Sequence, residues 1–165
     1  MRELQGLAPR RSVSLKGGLT AGFVATVVLS FPMIGSSVLG RMPALNPVGD
    51  IVRVASALAG VQLPAPFGWV GFFFIGAVVC GIAYASIEPS LPGPALVKGL
   101  VFGVFAWLTT MIVFMPDAGY GFFAAALGLP GVAATLVLHL VHGAVLGLTY
   151  PHVSGAPDRA EVWPG

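Results

Sequence analysis

Gly131-Val132-Ala133-Ala134-Thr135-Leu136-Val137-Leu138-His139-Leu140-Val141-His142-Gly143-Ala144-Val145-Leu146-Gly147-Leu148-Thr149-Tyr150 is a stretch without one charged side chain. As a helix of about 1.5 Å rise per residue it reaches across a hydrocarbon core of about 30 Å. Pro130 stands before it, at a position that suits a helix's first turn, and Pro151 disfavours helical geometry in the residue it follows. The stretch reads as a membrane-crossing helix over about 131–150.

The rest of the chain is built the same way. Of 165 residues, 56% are apolar and 8% are charged, with a mean hydropathy of +0.92. Soluble domains carry roughly 25% charge, so this composition belongs in lipid. It also excludes a disordered chain, and the single cysteine excludes a disulfide framework. The net charge of +2 forms no basic stripe, which argues against nucleic acid as a partner. The charges leave uncharged runs at 17–40, 54–87, 99–116 and 118–157. Each holds one crossing, and prolines trim them to about 17–39, 68–87, 95–115 and 131–150. Pro32 lies inside the first and should kink it. That first run of 24 residues exceeds a signal peptide's core of about 7–15 residues, so it reads as a crossing despite the preceding Arg10-Arg11.

Between the first two crossings, Asn46-Pro47 and the segment after it read as a capped helix over about 47–60 at the outer interface. Asp50 and Arg53 are spaced to pair on one face. Residues 117–129 are too short to cross and should form an interfacial or re-entrant turn. The expected fold class is all-α: a polytopic membrane protein of four transmembrane helices in two tandem hairpins, plus the interfacial helix. The transmembrane domain spans 16–151, between mobile tails at 1–15 and 152–165. Arg2, Arg10, Arg11, Lys16, Lys98 and Arg159 fall on one side, against Arg41 and Arg53 on the other. The positive-inside rule makes the first side cytoplasmic, with both termini there. Tyr84 and Tyr150 would then lie in an inner aromatic belt, with Trp69 and Tyr120 at the outer interface.

The chain also repeats itself. Gly18, Gly22 and Ala25 match Gly99, Gly103 and Ala106 at an offset of 81. Ala77, Gly81 and Tyr84 match Gly143, Gly147 and Tyr150 at an offset of 66. This suggests a duplicated hairpin whose copies are related by an axis along the membrane normal. Small residues four apart share a helix face and let backbones approach closely. Gly18, Gly22, Ala77, Gly81, Gly99, Gly103, Gly143 and Gly147 are therefore expected to pack helices.

Chemistry-bearing side chains within the crossings are few. His139 should sit near mid-bilayer on the face of Gly143 and Gly147, with His142 on an adjoining face. An ionisable side chain there is a functional candidate. Three readings compete. His139 is a neutral histidine bonded to Thr109, Thr110 or a carbonyl across the bundle. Or it joins Met111, Met115 and Cys80 in a soft-metal site. Or it ligates haem, although the repeat places Phe73 where a second ligand would be wanted. Cys80 reads as an apolar filler, and Trp107 should pack inside the bundle. Asp117, at an unfavourable helix C-terminus, invites a partner in Arg41 or Arg53, and Glu88 and Lys98 should be solvated.

The segments Lys16–Gly22, Lys98–Trp107 and His139–Gly147 resemble a family of small bacterial four-helix membrane proteins known only as a domain of unknown function. The resemblance covers about 15–151 and implies an inner-membrane location and four crossings. It implies no activity and no functional residue. The function expected is that of a non-enzymatic membrane protein without a cofactor, packing in the lipid bilayer with copies of itself or in a larger complex. The alternative is a small-solute, lipid, metal or haem-handling protein centred on His139.

Overall fold

The computed structural model describes residues 13–38 and 46–155, and among these every regular element is helical. Helix α1 covers Leu15–Val38 and α2 covers Pro47–Ala59. Helix α3 runs through Pro66–Ser90 and α4 through Ala95–Asp117. Helix α5 is Gly128–Ser154, entered through a tight 3-10 segment, Phe122–Leu127. The protein is an all-α polytopic membrane protein: α1, α3, α4 and α5 are long and apolar enough to cross a bilayer. Their outward faces carry exposed Phe31, Val70, Phe105 and Val137, a surface that water would penalise and lipid accepts. Five of the basic residues that set sidedness (Arg2, Arg10, Arg11, Arg41 and Arg159) and most of both tails lie outside the described residues.

Local sequence explains how α2 is held. Asn46 Oδ1 accepts the Gly49 N–H at 3.0 Å, Pro47 occupies the first turn, and Gly60 closes the helix at φ +68°, a left-handed conformation that glycine adopts freely. Asp50 pairs with Arg53.

Two crossings extend past the prolines expected to stop them. Helix α4 contains a π turn, Thr110–Phe114, after which the Met115 N–H bonds Thr110 five residues back. Pro116 thus enters where the hydrogen-bond register has already shifted, and the helix continues to Asp117. Helix α5 passes Pro151 and ends at Ser154, capped by Gly155 at φ +66°. Its last turn is pressed on α1: a Cβ on Gly17 would lie 2.8 Å from Ser154 Cα. The Tyr150 hydroxyl accepts the Ser14 N–H at 3.4 Å. Tertiary packing here outweighs the local proline preference. Pro32 is accommodated within α1.

Helices pair through the small residues. A Cβ on Gly18 would lie 2.4 Å from Gly81 O, and one on Gly22 2.6 Å from Ala77 O, which joins α1 to α3. A Cβ on Gly99 would lie 2.1 Å from Gly143 O and 2.9 Å from Gly147 Cα, which joins α4 to α5. The offset-matched residues thus make equivalent crossings in the two hairpins. The hairpins join unequally, because α1 packs along α5, whereas α3 and α4 meet mainly near the turn that joins them. There Tyr84 lies edge-on to Phe102 and to Tyr150, with ring centroids 5.4 and 5.5 Å apart.

That end of the bundle differs from expectation in two ways. Tyr84 and Tyr150 are buried in the core with Ala21, Ala25 and Leu146 and form no belt. Their rings fill the space beside the small faces, where the backbones leave room for them. Lys98 and Glu88 are not solvated but form a buried ion pair. The 3-10 turn Glu88–Ser90 brings the carboxylate over the first turn of α4, and each charge can leave water only because the other does.

Candidate functional site

The separation of α3 from α4 away from the turn that joins them leaves a cavity of about 300 Å³ in the half of the bundle that α2 adjoins. All four crossings line it, and α2 reaches it from the interface through Asp50 and Ile51. Ile75 and Val113, on the open flank, line the cavity and are also exposed at the protein's outer surface. The π turns Phe74–Val79 of α3 and Thr110–Phe114 of α4 both contribute lining residues, Ile75 and Gly76 on one side and Thr110, Val113 and Phe114 on the other. Such turns are frequent where a membrane or soluble helix carries a site.

Most of the cavity wall is apolar, and its polar groups divide into satisfied and unsatisfied ones. Thr26 returns its hydroxyl to Gly22 O at 2.7 Å. Thr135 donates to Val132 O at 2.7 Å and accepts from Trp107 Nε1 at 3.2 Å, so Trp107 is tied into the bundle. His139 uses both ring nitrogens: Nδ1 is 2.8 Å from Thr135 O and Nε2 is 3.0 Å from Thr110 Oγ1. A carbonyl only accepts, so Nδ1 of the neutral ring carries the hydrogen, and Nε2 faces the Thr110 hydroxyl, whose one proton is shared between this nitrogen and Ala106 O, 3.0 Å from Oγ1. Of the partners that the first reading of His139 named, Thr110 is present across the bundle, whereas the carbonyl is that of Thr135, one turn back on the same helix.

His142 is different. It is 7% exposed, its ring faces the Gly76 carbonyl of α3, and Nε2 has no hydrogen-bond partner. Asp50, 4% exposed, takes the Tyr120 hydroxyl at 3.2 Å and Arg53 on Oδ1, while Oδ2 has no partner. Burial raises the Asp50 carboxyl above its ordinary value, and the Arg53 charge and the hydrogen bonds from Tyr120 and Arg53 pull against that rise. Two buried polar atoms without partners thus belong to residues that line one cavity. Each represents an unmet cost of about 1–3 kcal/mol.

The other residues singled out in the sequence lie as follows. Met111 and Met115 are buried in a cluster with Ala124, under Trp107 and Tyr120. Met115 lines the cavity, as does the half-buried Cys80. With both His139 nitrogens engaged and Met111 turned into that cluster, these side chains do not converge as ligands. No group of three His, Cys, Asp or Glu residues among those described could hold a metal ion, so the metal and haem readings gain no support. Asp117 is exposed, and Arg53 serves Asp50 and lies over the Tyr120 ring instead. Arg41 lies outside the described residues. The eight small residues face each other within the chain, so they lend no weight to self-association. Sequence reading missed Asp50, whose visible signal was a carboxylate on the interfacial helix paired to only one cation. It also ranked His139 above His142, because helix spacing shows which face a residue takes but not whether a neighbour satisfies it.

Fold and cavity together define a four-crossing helical membrane protein with an interfacial helix over a partly polar cavity. Residues 13–161 match the model described as "Family of unknown function (DUF6789)", and the chain belongs to that family. No curated protein and no solved structure matches it.

Proposed function

We propose that this protein binds a small, mainly apolar molecule inside the membrane, in the cavity between α3 and α4, and that its role is binding rather than catalysis. The observation that carries this reading is the unpartnered Nε2 of His142, buried in the wall of a cavity of about 300 Å³. Ligand pockets begin at about that size, and a dry cavity of about 150 Å³ already takes benzene. The exposed Ile75 and Val113 on the flank support entry from the lipid. The site centres on His142 and Asp50, with His139 and Thr110 as a fixed wall. The reading includes a bacterial inner membrane with both termini cytoplasmic, for which the support is the excess of basic residues on that side.

The test is saturable binding of butylbenzene to the protein in lipid nanodiscs, followed by ligand-observed NMR against empty discs. Ala106 lines the cavity, so Ala106→Phe should fill it and abolish saturation while the protein stays folded. Binding no different from empty discs would reject the reading.

A further inference from the structure

We propose that the molecule taken into this cavity is a lipid-soluble alcohol or phenol, an apolar body whose hydroxyl is anchored by Asp50. This rests on the reading of the cavity as a binding site and adds the chemistry of what fills it.

The argument is one of donors and acceptors. Asp50 Oδ1 is occupied by Arg53 and Tyr120, which leaves Oδ2 as a buried acceptor without a donor. A hydrocarbon, an ether or a ketone brings no hydrogen to it. A second cation would satisfy it, but the cavity wall is too apolar to admit one without large cost. A neutral hydroxyl supplies the donor at little desolvation cost. A hydrogen bond to a charged or strongly polarised acceptor is worth more than a neutral one, and more still in a low dielectric.

The position of Asp50 fits this. It reaches the cavity from α2, at the membrane's outer interface, while the rest of the wall is built by the crossings. An amphiphile entering from lipid keeps its hydroxyl at that interface and its body deeper, the orientation it already holds in a bilayer. At the deeper end His142 Nε2 is unpartnered, and a neutral imidazole can donate or accept. It would therefore take a second polar group of either kind but does not select for one. Selection falls to Asp50, whose need is for a donor alone.

The experiment compares 4-butylphenol, 4-butylanisole and butylbenzene on the wild-type protein in nanodiscs. These probes share a body and differ in whether they donate. The phenol should bind about tenfold or more tightly than either of the others. Asp50→Asn, which removes the carboxylate at nearly constant volume, should bring that preference to within about threefold. Equal affinity for the three probes on the wild type overturns the hydroxyl proposal and leaves the cavity reading standing, as a bilayer acyl chain filling the cavity would require. No saturable binding of any probe rejects the cavity reading, and the hydroxyl proposal falls with it. The wild-type comparison decides the matter even if Asp50→Asn does not fold.

Discussion

His139 and His142 sit three residues apart on α5, yet their environments separate them. His139 is bonded through both nitrogens to Thr135 and Thr110, so His139→Phe should cost about 1 kcal/mol, the worth of a hydrogen bond within a membrane bundle. His142→Phe removes an atom that has no partner and should leave stability unchanged or slightly raised. Thermal unfolding of both variants in detergent would show the difference, and equal losses would place the two histidines in the same role. Asp50 yields a pH dependence. Its folded value lies above the ordinary 3.8 because burial disfavours the charge. Its protonated form therefore favours the fold, and that contribution is full at low pH and lost as pH rises through the raised value. Wild type should lose stability relative to Asp50→Asn over that interval, and parallel pH profiles would contradict the assignment.

Small residues decide how the helices meet. A Cβ on Gly143 would lie 2.3 Å from Gly99 O, whereas one on Gly35 would meet nothing within 4 Å. Gly143→Leu should therefore force α4 from α5 and lower stability by more than about 2 kcal/mol, at or beyond the usual cost of overpacking. Gly35→Ala should be neutral or mildly favourable. Unfolding of the two variants in detergent checks the pair. Because these faces are spent within the chain, the loss should appear in a single molecule and not as a change of oligomeric state. The end of the bundle at the Glu88–Ser90 turn obeys a different rule. Lys98→Met strands the buried Glu88 carboxylate and should cost about 3–5 kcal/mol, and adding Glu88→Gln should recover much of it. A double variant no better than the single one would show that the pair is solvated after all.

Across the molecule, sequence reading went furthest where one physical requirement dominated. A bilayer demands long uncharged helices, and the four runs bounded by charge and proline are visible without coordinates. The Asn46-Pro47 cap of α2 and the Asp50–Arg53 spacing are equally local. What stayed hidden depends on how distant segments meet. Pro151 looks like an end until α5 is seen held by α1, Lys98 looks solvated until Glu88 folds over it, and a cavity is a space that no single residue encodes. The most direct test follows the histidine nitrogens themselves. Protein labelled with 15N in its histidines, embedded in bilayers and titrated with 4-(4-hydroxybutyl)phenol, whose second hydroxyl is available to His142 Nε2, reports each ring by solid-state NMR, with His142→Phe assigning the signals. The account expects the His142 resonances to move while those of His139 stay in place. Saturable binding that shifts His139 and leaves His142 unchanged would contradict it.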